Sequence, residues 1–169
     1  MGSWIPAAGV ELFDRAKEVF GADLPFFAED LGIITEDVHQ LRYQNGLMGM
    51  KILQFAFGSY SHAYLPHNYD SSNWVCYTGT HDNDTSKGWY QNASQDEQHR
   101  YRVYVGRDGS DVNWDLIRLA WSSTARWSIT TMQDIMDLSS EGRMNIPGQD
   151  SGHWSWRMSH IPWDSIGRL

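Results

Sequence analysis

Residues 74–85 read Trp74-Val75-Cys76-Tyr77-Thr78-Gly79-Thr80-His81-Asp82-Asn83-Asp84-Thr85. The first part, to Thr78, has the length and the bulky, β-branched and aromatic content of a buried strand. It runs without a spacer into a loop of His, Asp, Asn and Thr. In parallel α/β folds, ligands gather at the carboxyl ends of the strands, so a polar cluster at such a place is a candidate site. Working outward, Asp96 to Val105 and Asp111 to Trp121 have helical periodicity, the second with Asp111 as its cap and Leu116, Ile117, Leu119 and Ala120 turned to a core. Trp127 to Met132 is a fourth, weaker strand, followed by a Gly-, Pro- and Trp-rich stretch from Ser139 to Arg157.

Upstream, Met50 to Phe57 reads as a second strand and Gly58 to Asn73, without periodicity, as a long loop. Thr35 with Glu36 and Asp37 has the make-up of a helix N-cap and acidic first turn, and Val38 to Tyr43 continue that helix until Asn45-Gly46 ends it. Leu24 to Ala28 is the first strand candidate and stops at Glu29-Asp30-Leu31-Gly32. Before it, Val10, Leu12, Phe13, Ala16, Val19 and Phe20 recur at helical spacing, and Gly21 ends that helix. Strands alternating with helices predict a parallel α/β sheet, doubly wound or closed into a barrel.

The 169 residues suit one domain. They are short for a complete (β/α)₈ barrel, which takes about 250 residues; eight units would have about 21 residues each. The formal charge of −8 opposes nucleic-acid and anionic-membrane binding. With 41% hydrophobic, 14% aromatic and 20% charged residues the chain can fill a core. Cys76 is the single cysteine, so no intrachain disulfide forms, and it reads as a small core residue. The N-terminal residues lack a basic region followed by an apolar one, and no apolar run approaches the ~18 residues of a membrane span. A cytoplasmic setting is the simpler expectation.

Two clusters stand where chemistry belongs, Glu29-Asp30 after the first strand and His81-Asp82-Asn83-Asp84 after the third. Carboxylates in such a cleft suit glycoside chemistry, in which one carboxyl delivers a proton to the leaving oxygen and ionised ones stabilise charge on the sugar. The blander alternative for Glu29-Asp30 is a cap or a solvated edge. A rival chemistry for His81, Asp82 and Asp84 is a divalent metal site, as in metal-dependent hydrolases. The remaining histidines, His39, His62, His67, His99, His153 and His160, show no regular ligand spacing, and no metal is assigned. Trp114 and Trp121 fall within a helical pattern and are expected in the core, whereas Trp74, Trp89, Trp154 and Trp156 flank loops, where sugar rings stack on aromatics.

Four ordered stretches carry a family resemblance: Ala28-Glu29-Asp30-Leu31-Gly32-Ile33-Ile34-Thr35, Gly49-Met50-Lys51-Ile52-Leu53-Gln54-Phe55-Ala56-Phe57, Leu65-Pro66-His67-Asn68-Tyr69 and residues 77–85. With Arg143-Met144-Asn145-Ile146-Pro147-Gly148 and Trp154-Ser155-Trp156-Arg157, and from Gly2-Ser3-Trp4 onward, the chain resembles the 4-α-glucanotransferases of glycoside hydrolase family 77, the amylomaltases or disproportionating enzymes. The resemblance implies the C-terminal half of a (β/α)₈ TIM barrel over residues 1–169, about four parallel strands with helices and long active-site loops and no separate second domain. It implies transfer of α-1,4-glucan segments between maltooligosaccharides by a retaining mechanism, without cofactor or metal.

By motif, Glu29 is the general acid/base, Asp82 stabilises the transition state and His81 contacts the sugar beside it. Asp30 matches a second acidic position in a supporting role, His67, Asn68 and Trp154 line the substrate cleft, and Asp84 holds the Asp82 loop. The family's nucleophilic Asp lies in an Arg-x-Asp-His-Phe-type motif that residues 1–169 do not contain. The isolated chain is therefore expected to be inactive, and to self-associate or take up a complementary N-terminal fragment. Three positions depart from the family pattern: Met48 for Pro, Ile146 for Thr and His153 for Asn. A glucan-binding remnant without catalysis is the alternative.

Overall fold

The computed structural model describes residue 5 and residues 7–168; Met1 to Trp4, where the resemblance begins, Pro6 and Leu169 lie outside the described residues. The chain divides into two compact units, Met1–Met50 and Lys51–Leu169.

In the first unit, α1 (Gly9–Phe20) and α2 (Glu36–Gln44) form as the periodicity predicts. Gly21 ends α1 at φ +90°, a conformation open to glycine without strain, and its N–H bonds Lys17 O. Thr35 is the N-cap of α2, but its hydroxyl donates to the Asp37 carboxylate instead of accepting from the helix backbone. The strand expected over Leu24 to Ala28 is reduced to one parallel bridge, Phe27 with Met48, supported by Ala28 N–H donating to Met48 O at 2.8 Å. Its side chains alternate between half-buried and exposed, so this segment has one partner and one wet face.

The sheet has three strands in the order β1 (Gly49–Ile52), β2 (Trp74–Tyr77) and β3 (Trp127–Ile129). β2 and β3 are parallel, in register Val75 with Trp127, Cys76 with Ser128 and Tyr77 with Ile129. The crossover between them carries α3 (Ser86–Asn92), α4 (Gln95–Val105) and α5 (Val112–Trp121), as a parallel connection requires. Of these, α3 was not visible in the sequence reading. The expected strand Met50 to Phe57 is a strand only to Ile52, because Leu53–Gly58 tightens into 3₁₀ turns that carry Leu53, Ala56 and Phe57 inward. The fourth expected strand stops at Ile129, since Thr131 caps α6 (Met132–Ile135) by accepting from Asp134 N–H.

The main core joins Leu53, Ala56, Phe57, Leu65, Cys76 and Tyr101 to Val112, Leu116 and Ala120 of α5. Helix α5 buries residues on nearly every face, the signature of a central helix. Trp114 packs with Ile117 and Ile135 in a second cluster. Trp121, expected in the core, is 47% exposed because α5 ends there, and Trp74, expected beside a loop, is 4% exposed in β2. The buried Lys51 ammonium lies 3.8 Å from the centre of the Trp74 ring, a cation–π contact that helps compensate its loss of water. Asp111 stands at the N-cap of α5 but binds Arg118 and Arg168 rather than the helix N–H groups. A last short helix, α7 (Trp163–Ile166), closes the described chain.

Candidate active site

Beyond β2, the chain leaves the sheet at Thr78 and re-enters regular structure at Ser86. The loop between them is organised by Asn83, whose Oδ1 accepts from Thr80 N–H at 2.9 Å and from Thr80 Oγ1 at 2.8 Å. Gly79 leaves room here for Gln54, since a Cβ would sit 2.5 Å from its Nε2 and displace the amide. That Gln54 amide donates to Asp84 O at 2.8 Å, tying the loop to the 3₁₀ segment after β1. Asp84 points away from Asp82: its Oδ1 accepts from Thr85 N–H at 2.8 Å and its Oδ2 from Ser140 Oγ at 2.6 Å.

The loop presents His81 and Asp82 to solvent. His81 Nε2 lies 3.4 Å from Asp82 Oδ2, and Asn145 Nδ2 donates to Asp82 Oδ1 at 2.6 Å. Arg143 Nη2 donates to Asp82 O at 2.9 Å, and its Nε to Asn145 O at 2.8 Å. The carboxylate is thus held by an imidazole and an amide, with Arg143 fixing both its own backbone and that of Asn145. Trp154 stacks over His81 with ring centres 5.0 Å apart. It does so at φ +60°, a region that a bulky non-glycine residue adopts only under strain, while its N–H donates to Met144 O at 2.8 Å. Strained backbone of this kind clusters at ligand-binding and active sites, which makes Trp154 a candidate functional residue.

Thr80, His81, Arg143, Met144 and Trp154 help to line a cavity of about 230 Å³. That is below the roughly 300–1,000 Å³ of a complete small-molecule site and suits one part of a cleft. Among the described residues no three His, Cys, Asp or Glu side chains gather as a metal shell, and Asp84 is engaged elsewhere.

Other predicted site residues stand in separate settings. His67 and Asn68 lie exposed in a short 3₁₀ turn, Pro66–Asn68, with His67 Nδ1 3.0 Å from Tyr104 Oη and Asn68 Nδ2 donating to His62 O at 3.0 Å. In the first unit Glu29 is exposed and its Oε1 accepts from Leu31 N–H at 3.2 Å. Asp30 is buried; its Oδ2 is 3.2 Å from Arg42 Nε and its Oδ1 accepts from Met50 N–H at 2.7 Å. Cys76 is fully buried, and that burial pushes its thiol above the ordinary range, which suits a core residue rather than a nucleophile.

Arg143 and Asn145 belong to the site although no local pattern marks them, because their contact with Asp82 crosses more than sixty residues of chain. His153, the departure from Asn, accepts from Ile146 N–H through Nδ1 at 3.2 Å, while its Nε2 is buried without a hydrogen bond.

Residues 1–162 match the family model described as 4-alpha-glucanotransferase. The chain is 48% identical over 92% of its length to a 4-alpha-glucanotransferase of Synechocystis and 46% identical over 93% to one of Thermus thermophilus, and it spans 31% and 33% of those proteins. The solved structure of the amylomaltase from Streptococcus agalactiae in complex with acarbose superposes with a TM-score of 0.89 at 36% identity, covering 98% of this chain and 34% of that one. The chain therefore belongs to the 4-alpha-glucanotransferase family, glycoside hydrolase family 77.

Proposed function

We propose that residues 1–169 are the C-terminal part of the (β/α)₈ barrel of a 4-α-glucanotransferase, and that they contribute its acid/base and its transition-state carboxylate. The observation that carries this reading is the Asp82 site: a strand-end carboxylate oriented by Asn145 and flanked by His81 and a strained, stacked Trp154. The sheet order β1-β2-β3 follows the chain without reversal, as consecutive strands of a barrel do. The exposed β3 edge and the uncovered apolar residues of α1 favour further barrel elements beside them.

In this reading Glu29 protonates the departing glycosidic oxygen while an Asp from outside residues 1–169, its carboxyl about 5–5.5 Å from that of Glu29, attacks the anomeric carbon. Positive charge develops on the ring, and the Asp82 carboxylate, aimed by Asn145, stabilises it. The 4-hydroxyl of an acceptor glucan then displaces the enzyme carboxylate, with Glu29 as base. His81, His67, Asn68 and Trp154 bind the glucan; Asp30, fixed on Arg42 and Met50, supports the turn that carries Glu29. No cofactor or metal enters these steps. The substrates are α-1,4-glucans and maltooligosaccharides, and the setting is the cytoplasm or a plastid; one similar protein, from Arabidopsis thaliana, is named as chloroplastic/amyloplastic. Among the described residues no helix is long and apolar enough to cross a membrane.

The test is a chimera in which residues 1–169 replace the segment of the Synechocystis enzyme that they match. Incubated with maltotriose, the chimera is expected to release glucose and longer maltodextrins. The isolated chain is expected to elute above monomer size and to form no products. A chimera that folds but does not disproportionate maltotriose sinks the proposal, and so does robust turnover by the isolated chain.

A further inference from the structure

The 79–85 loop is anchored at both ends by one side chain that no motif marks. Thr78 closes the strand side of the loop and Ser86 opens α3; both bind the carboxylate of Asp134 in α6. Thr78 Oγ1 donates to Oδ2 at 2.6 Å and Ser86 Oγ to the same oxygen at 2.8 Å, while Ser86 N–H donates to Oδ1 at 2.8 Å. Thr78 and Ser86 are completely buried and Asp134 is 1% exposed. Burial pushes the Asp134 carboxyl above its ordinary range even though these hydrogen bonds pull it down. A carboxyl in so dry a place is costly unless its contacts are made, and three of its hydrogen bonds go to the two residues that bracket the loop, beside a contribution from the Thr131 hydroxyl of its own helix cap.

From this geometry we propose that Asp134 is a positioning residue for the transfer reaction: by clasping Thr78 and Ser86 it fixes both ends of the 79–85 loop and so aims Asp82 at the sugar. The inference rests on the reading of Asp82 as the transition-state carboxylate. The contacts that Asp82 makes directly are exposed and come from its own loop, Thr80 and His81, and from the 143–145 segment; buried restraints on that loop come from Asp134 and from Gln54 on Asp84 O. Loss of the clasp moves Asp82 relative to a ring already bound elsewhere, so turnover falls while ground-state binding holds. Misplacement by about 1 Å is worth about 100-fold in rate.

The experiment uses the chimera described above with maltotriose as substrate. Asp134→Ala is expected to lower kcat about 10–100-fold with KM within about threefold. In an Asp82→Ala background the same substitution should change kcat less than about twofold, because its effect passes through Asp82. Thr78→Ser, which keeps the hydroxyl, should retain most of the turnover that Thr78→Val loses. Asp134→Ala with more than half of the parental kcat overturns the proposal, as does an undiminished loss in the Asp82→Ala background, which marks a general loss of folded enzyme. If Asp134→Ala does not fold by circular dichroism, the Thr78 pair decides: equal turnover in Thr78→Ser and Thr78→Val overturns it. A chimera whose kcat survives Asp82→Ala overturns instead the reading of Asp82, and this inference with it.

Discussion

Asp30 and Asp82 are both acidic residues beside a strand end, yet the protein holds them in opposite ways. Asp30 is buried on Arg42 and Met50 N–H, whereas the Asp82 carboxylate is exposed and is contacted by His81 and Asn145. The first is a structural clamp, the second a group with access to a ligand. Removing one partner of a buried ion pair leaves the other without compensation, at a cost of about 3–5 kcal/mol. Arg42→Ala should therefore lower the stability of the Met1–Met50 unit by about that much, measured by urea denaturation; a loss below about 1 kcal/mol would show that the pair is solvated and that Asp30 is free for another role. The sequence placed both acids at a site and could not tell them apart, because burial depends on Arg42 and Met50, twelve and twenty residues away in the chain. Asp134 escaped notice for the same reason, since its partners lie 48 and 56 residues distant.

Helices were more legible than strands. α1, α2, α4 and α5 carry their own signals in cap residues and apolar spacing, and their bounds match the expectation within a residue or two. The short β1, β2 and β3 depend on neighbours that are distant in sequence, and two of the expected strands continue as 3₁₀ turns or give way to a helix cap once pairing ends. α3 was missed because Ser86–Asn92 has no apolar stripe; it begins where the Thr85 hydroxyl accepts from Gly88 N–H. In α4 the capping box is complete: Ser94 Oγ accepts from Glu97 N–H, and Glu97 Oε2 accepts from Ser94 N–H. Ser94→Ala should cost about 1 kcal/mol of stability, read as a lower midpoint in thermal or urea unfolding. No measurable change would mean that packing of Tyr101 alone sets the helix.

In the whole chain, length and motif content do not match those of a complete barrel. The family match extends over residues 1–162, while the chain spans 31% of the length of the Synechocystis relative. Physical features agree with a part that needs further cover. Val10, Leu12, Val19 and Phe20 of α1 are exposed, none of the α1 residues is buried, and β3 presents Trp127 and Ile129 outward. The central claim is that this part supplies Glu29 as acid/base to a complete glucanotransferase. It is tested most directly by glucose release from maltotriose in the chimera carrying Glu29→Gln, which removes the transferable proton with little change in shape. Loss of a general acid/base predicts a fall in kcat of about 10²–10⁴-fold with the protein still folded; a Glu29→Gln chimera that keeps more than about a tenth of the parental rate would contradict the account.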